Sequence, residues 1–157
     1  MTTVARRLAS LIGTAGLLAC SVGTQVGSFH PANEPGGAHV ALRMQPGETA
    51  SRELVAVTAE GELLAVRDTA LLIVRQAPNG SLAPPAARVV LVPLRGIRQG
   101  EFPQLHGSPR IQAGRFEPAE ALAQVRLVSR YPQGVSDELL QALLAVYQQT
   151  QLDVLVP

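Results

Sequence analysis

The stretch GELLAVRDTALLIV, residues 61–74, decides the fold of this chain of 157 residues. Two short runs rich in leucine, isoleucine and valine, residues 62–66 and 70–75, flank a polar break at residues 67–69. Short apolar runs bounded by polar residues are typical of β-strands, and a three-residue break fits a hairpin. The sequence therefore predicts two neighbouring antiparallel strands here.

Further strand-like runs lie on both sides of this hairpin, at residues 39–44, 53–58, 88–93 and 96–102. They are short and rich in β-branched residues and leucine, which favours strands over helices. The polar break Ala59-Glu60-Gly61 fits a second hairpin turn, because Gly61 can take a positive φ. These short connections predict an antiparallel meander.

Two of the strand-like runs, residues 71–74 and 89–92, are continuously apolar instead of alternating. Both of their faces must be covered, which a closed barrel with a helix packed outside would achieve. The loop at residues 76–87 separates them, with Asn79-Gly80 as a turn tip. GELLAVRDTALLIV followed by RVVLVPLRGI resembles the central strands of small SH3-like or Sm-like barrels, over about a third of the chain. The resemblance implies a barrel of about five strands and nothing about function.

The segment VSDELLQALLAVYQQ, residues 135–149, predicts an amphipathic helix with Ser136 as its N-cap and Val135 stapled against Leu140. Its apolar face comprises Leu139, Leu140, Leu143, Leu144 and Tyr147. A shorter helix is predicted at residues 118–130, with Pro118 at its first position. The expected fold class is α+β, mainly β: a small antiparallel meander or SH3-like barrel of about five strands, with the C-terminal helix packed on it.

The only cysteine follows an apolar run near the start of the chain, in RRLASLIGTAGLLACS, residues 6–21. Two arginines before an apolar run of 11 residues are typical of a secretory signal, since a spanning helix needs about 20. Leu17, Leu18, Ala19 and Cys20 resemble the lipobox of bacterial lipoproteins, which implies that signal peptidase recognises residues 17–19 and that Cys20 becomes the lipidated N-terminus. Ser21 is compatible, within that family, with delivery to the outer membrane.

Two alternatives to lipidation stay open at this point. Ordinary cleavage around Cys20 would release a soluble periplasmic or secreted chain beginning at Val22, and an uncleaved leader would act as an anchor. The resulting division of the chain is a signal peptide at residues 1–19, a lipidated cysteine and flexible tether at 20–38, and a single globular domain at 39–157. Within that domain we expect strands in residues 39–102 and helices in residues 118–149.

The composition excludes several classes of protein. Hydrophobic residues make up 46% and charged residues 16% of the chain, which indicates a folded protein. The 13 basic and 12 acidic residues nearly balance, and loss of two leader arginines would leave a charge of about −1, which argues against nucleic-acid binding. An aromatic content of 3% is too low for a stacking platform.

No motif in the sequence indicates a catalytic, metal or cofactor site. His30, His39 and His106 lack the spacing of metal motifs, and no serine lies in a nucleophile elbow. The sequence therefore leaves enzymatic activity open and favours its absence. In SRYPQG, residues 129–134, Arg130 and Tyr131 are candidates for a partner contact, because both residue types are enriched at interfaces, although each also fits a structural role.

The leading hypothesis is a lipid-anchored protein of the bacterial cell envelope, at the outer membrane and facing the periplasm, that acts as a non-catalytic binding or assembly module for an envelope protein. One alternative is an envelope enzyme with an unrecognised site, since active sites are assembled in space. Another is a soluble secreted or periplasmic domain. Nucleic-acid binding by an Sm-like barrel ranks last.

Overall fold

In the computed structural model, which describes residues 36–46 and 57–155, the chain forms eight strands and two α-helices. The strands are β1 (His39–Met44), β2 (Thr58–Val66), β3 (Ala70–Arg75), β4 (Arg88–Pro93), β5 (Ile97–Glu101), β6 (Arg110–Gln112), β7 (Arg115–Glu117) and β8 (Asp153–Val154). The helices are α1 (Ala121–Leu127) and α2 (Asp137–Val146), and a 3-10 turn, Leu94–Gly96, joins β4 to β5. Neither described helix is long and apolar enough to cross a membrane.

All eight described strands belong to one sheet in the order β7-β6-β5-β1-β2-β3-β4-β8. Every pairing is antiparallel except that of β4 with β8. The prediction of a mainly β fold with helices is therefore confirmed. The prediction of an SH3-like barrel of about five strands is wrong, because the sheet is open and contains more strands.

The two-sided burial that suggested a barrel has a different origin. Leu71 and Ile73 point into a core on one face of the sheet, and Leu72 and Val74 into a second core on the other face. The first core is closed by α1 and the loop before β6, and the second core is closed by α2. Full burial of each such side chain stabilises the fold by about 1.5–3 kcal/mol. Because each face of the sheet has its own covering layer, the continuous apolar runs do not require a closed barrel.

The predicted hairpin turn at residues 59–61 is wrong, because β2 runs unbroken through it. Gly61 pairs with Val40 on one side and Arg75 on the other, and a Cβ there would overlap the carbonyl oxygen of Val74. The glycine thus allows a close backbone approach within the sheet instead of a turn. Of the strand predicted at residues 53–58, residues 53–56 lie outside the described residues.

The other predicted connections are confirmed. Residues 67–69 form the β2–β3 hairpin, in which Arg67 and Ala70 exchange backbone hydrogen bonds. Residues 76–87 form the β3–β4 loop, where Gly80 has a φ of +78° at the turn tip. A positive φ costs glycine little, which is why Asn-Gly is favoured there.

Helix α2 begins as the sequence predicts. Ser136 is its N-cap, and its hydroxyl accepts a hydrogen bond of 3.3 Å from the backbone N–H of Leu139. The pKa of the exposed Glu138 is lowered by hydrogen bonds that its carboxylate accepts from its own backbone N–H and from the Ser136 hydroxyl. Leu143, Leu144 and Tyr147 are buried on the face that packs against the sheet.

Both helices are shorter than predicted. Helix α2 ends at Val146 instead of residue 149, and α1 covers only residues 121–127 of the predicted 118–130, with Pro118 before its start. Helix α1 ends because the backbone N–H groups of Arg130 and Tyr131 donate to the β2 carbonyl groups, at 3.0 and 2.8 Å. These N–H groups are then unavailable for another helical turn.

Candidate functional site

The carboxylate of Glu62 joins three segments that are distant in the sequence, at the first residues that the structure describes. Its Oε1 accepts a hydrogen bond of 2.7 Å from the backbone N–H of Gly37 and lies 2.7 Å from Nε of Arg130. Glu62 is buried in β2, and Arg130 is partly exposed in the loop between the helices. We call Gly37, Glu62 and Arg130 the entry clasp, because they fasten residues 36–38 to the sheet and to that loop.

The contact between Glu62 and Arg130 is ionic and not an aligned hydrogen bond. Nε of Arg130 is close to Oε1, but within the described part of the chain its N–H makes no hydrogen bond of acceptable geometry. The backbone at Gly37 lies so close to β2 that a Cβ there would overlap the carbonyl oxygen of Leu63. Residues 36–38, assigned from the sequence to the tether, are therefore packed here, and Ala38 is fully buried.

The structure places the predicted partner-contact residues Arg130 and Tyr131 beside this clasp. Arg130 is ion-paired, and Tyr131 is partly buried against the core under α2. Both side chains thus contribute to the domain's own packing, and their contact with a partner stays a prediction. Burial, followed by the negative charge of Glu62, raises the pKa of the neighbouring Tyr147 phenol, while Arg130 acts in the opposite direction.

Helix α2 covers only one half of its face of the sheet, and the other half of that face is open and polar. Outward positions on β1, β2 and β5–β7 carry both signs of charge: Arg43, Glu60, Glu101, Arg110, Arg115 and Glu117. Arg110 lies opposite Glu117, with Nε 3.2 Å from Oε2. Exposed pairs of this kind contribute little stability. Because the three arginines balance the three glutamates, this half of the face is a solvated, charge-balanced surface.

A cleft of about 600 Å³ opens where β2 begins, between the β3–β4 loop and β8. Its charged lining consists of Arg75, Arg88, Glu60 and Asp153. Its apolar lining consists of Ala77, Pro78, Ala86, Val90, Val154 and Leu155. We call it the arginine cleft, because Arg75 and Arg88 lie directly opposite each other on adjacent strands.

The two arginines of the cleft differ in their surroundings. Nε of Arg88 donates a hydrogen bond of 2.7 Å to Oδ2 of Asp153. Arg75 is half-buried and has no carboxylate oxygen within 4.0 Å among the described residues. Among the described residues, Arg88 is therefore ion-paired and Arg75 is not.

Sequence reasoning missed both the clasp and the cleft, although the cleft has a local signal. Arg75 ends one apolar run and Arg88 begins the next, so antiparallel pairing of the two runs places both arginines at the same end. The clasp has only a weak signal, the Gly36-Gly37 pair just before a strand. Its partners, Glu62 and Arg130, are far apart in the sequence.

The other candidate groups are dispersed. His39 lies in β1 and His106 in the loop before β6, while His30 lies outside the described residues, as do Leu17, Leu18, Ala19 and Cys20. The hydroxyl of Ser129 donates to the carbonyl oxygen of Arg126 at 2.7 Å. Within the described ranges, no three histidine, cysteine, aspartate or glutamate side chains form a group that could hold a metal ion.

Comparison of the chain with protein-family models, with curated proteins and with solved structures finds no match.

Proposed function

We propose that the protein is a bacterial lipoprotein, anchored in the cell envelope through a lipidated Cys20, whose folded domain is a non-catalytic module that binds an envelope protein. The observation that carries the proposal is the lipobox-like sequence at residues 17–20, at the end of an apolar run that follows a basic pair. Lipoprotein maturation would attach several acyl chains to Cys20. Two or more chains hold a protein stably at a membrane, whereas one chain binds only marginally.

The entry point of the chain supports this arrangement. The clasp holds Gly37 against Leu63, near the end of β2. A flexible tether from Cys20 to residue 36 would span roughly 20–24 Å root-mean-square. The domain would therefore stay within a few nanometres of the bilayer, and the clasp would fix the point on the domain from which the tether starts.

The arginine cleft lies toward the opposite end of β2. It begins at Thr58 and Glu60, three to five residues from Leu63. At about 3.3 Å per residue, the cleft is displaced by roughly 10–17 Å along the strand from the point where the chain enters. A partner could thus reach the cleft while the tether holds the other end of the domain, which supports a binding role for the anchored protein.

The anchor is tested by the intact mass of the native protein extracted from its own membranes, beside a Cys20→Ser variant. We expect a chain that begins at Cys20 and carries several acyl groups, and a variant that lacks them. A lipid-free chain that begins at Val22, or an unprocessed chain that begins at Met1, would contradict the proposal.

The binding role is tested by photo-crosslinking in cells. A crosslinking residue at Ala86, exposed on the rim of the cleft, should capture an envelope protein. The same residue at Gln141, exposed on α2 and outside the cleft, serves as the matched control. Absence of any protein neighbour at either position would argue against a binding module.

A further inference from the structure

We infer that the arginine cleft binds a carboxylate presented beside an apolar side chain, as on a peptide segment of the partner. The identity of the partner as an envelope protein rests on the proposed function. The chemistry of the ligand rests on the cleft alone, through its two opposed arginines, its apolar wall and its balance of charge.

The opposed arginines are the first support. Arg75 and Arg88 are cross-strand partners, and like charges in directly opposite positions destabilise a sheet. Asp153 neutralises only Arg88. A carboxylate from a ligand would give Arg75 an ion-pair partner, and guanidinium groups bind carboxylates with two parallel hydrogen bonds.

Asp153 also acts as a positioning residue for Arg88. It contacts the guanidinium through Nε, at 2.7 Å. An arginine side chain has five N–H donors, so the four on its terminal nitrogens remain available to a ligand. The ion pair thus orients Arg88 without occupying its outer edge.

The apolar wall of the cleft explains why the carboxylate should be accompanied by an apolar group. Ala77, Pro78 and Ala86 line the side formed by the β3–β4 loop, and Val90 and Val154 line the opposite side. Half of the surface of Val154 is exposed. The volume of about 600 Å³ lies within the range of about 300–1,000 Å³ that is usual for ligand sites.

The number of unpaired guanidinium groups favours a carboxylate over a phosphate. Asp153 pairs with Arg88, and Arg75 has no carboxylate oxygen within 4.0 Å among the described residues. A monoanionic carboxylate matches this single unpaired charge, whereas a phosphate dianion would keep an excess negative charge beside Asp153 and Glu60.

The test is an NMR titration of the full chain in a non-ionic detergent, with N-acetylleucine as the probe. N-acetylleucine amide is the matched uncharged control, and hexyl phosphate represents the alternative anion. We expect roughly millimolar affinity for the acid, typical of a ligand of this size, with shifts centred on Arg75, Gly80 and Arg88. The amide should bind more weakly by about tenfold, because it lacks the charge.

Three variants separate ligand binding from folding. Arg75→Gln should weaken binding of the acid by about tenfold or more while leaving thermal stability equal or higher, since it removes a like-charge contact. Glu60→Gln should strengthen binding a few-fold, because it removes a repulsive charge. Arg98→Gln changes an exposed arginine on β5 outside the cleft and should leave the affinity unchanged.

Equal binding of the acid and the amide, tighter binding of hexyl phosphate, or unchanged affinity in Arg75→Gln would each overturn the inference. The intact mass of the same sample reports on the anchor independently. An unlipidated chain that still binds the acid would contradict the proposed function and leave the cleft assignment standing. A lipidated chain that does not bind the acid would contradict the cleft assignment and leave the proposed anchor standing.

Discussion

Gln149 covers the outer edge of β4 with its side-chain amide. Its Oε1 accepts a hydrogen bond of 2.6 Å from the backbone N–H of Val89, and its Nε2 donates one of 3.0 Å to the Val89 carbonyl oxygen. The side chain thereby imitates one residue of a neighbouring strand, next to the point where β8 begins to pair with Val90. Gln149 is only 6% exposed, so water does not replace it.

We predict that Gln149→Ala lowers the free energy of unfolding by about 2–4 kcal/mol. Each buried backbone group left without a partner costs about 1–3 kcal/mol, and a water molecule in the vacated space would recover part of this loss. A loss of this size is a large fraction of the roughly 5–15 kcal/mol that stabilises a typical domain. Gln141→Ala, an exposed change on α2, should alter stability by less than about 0.5 kcal/mol.

Urea denaturation followed by circular dichroism measures both variants. Gln149→Glu adds a second, sharper test, because a carboxylate accepts from Val89 but cannot donate to it. Its deficit should therefore shrink as the pH falls toward about 4, where a carboxyl group regains its proton and can donate. A loss of less than about 0.5 kcal/mol in Gln149→Ala, or a deficit in Gln149→Glu that does not change with pH, would refute the reasoning.

Three further predictions concern the sheet and the entry clasp. Gly61→Ala should destabilise the domain by more than about 3 kcal/mol in thermal denaturation, because its Cβ would overlap a strand carbonyl. Gly134→Ala has open space around it and should cost about 1–2 kcal/mol, so equal losses would contradict this reasoning. Arg130→Met should cost about 1–3 kcal/mol, reduced by the partial exposure of the arginine, because it leaves the Glu62 carboxylate buried without its countercharge. A double-mutant cycle with Glu62→Gln that shows no coupling would oppose this prediction. Because the pKa of Tyr147 is raised in the folded state, the unfolded chain loses this phenol proton at a lower pH than the folded chain does. The free energy of unfolding should therefore fall as the pH rises above about 10, and it should fall less steeply in Tyr147→Phe. Identical pH profiles of stability for the two proteins would argue against this prediction.

Much of the secondary structure was predictable because its signals are local. Strands β1, β3, β4 and β5, the hairpin at residues 67–69 and the N-cap of α2 all agree with the sequence pattern. Strands β6 and β7 were missed, since each has three residues and one apolar side chain between charged or polar ones. Strand β8 has two residues and forms only through its parallel pairing with β4.

The sequence by itself determined that the apolar runs of β3 and β4 have both faces covered, and it predicts the lipid anchor at Cys20. Only the tertiary structure decided what covers those faces, because the hydrophobic effect depends on the area buried and not on whether a strand or a helix buries it. The same holds for the polar sites. Gly37 lies 25 residues from Glu62, and Arg88 lies 65 residues from Asp153. Contacts over such separations depend on the register and order of the strands, which no local pattern of residues encodes.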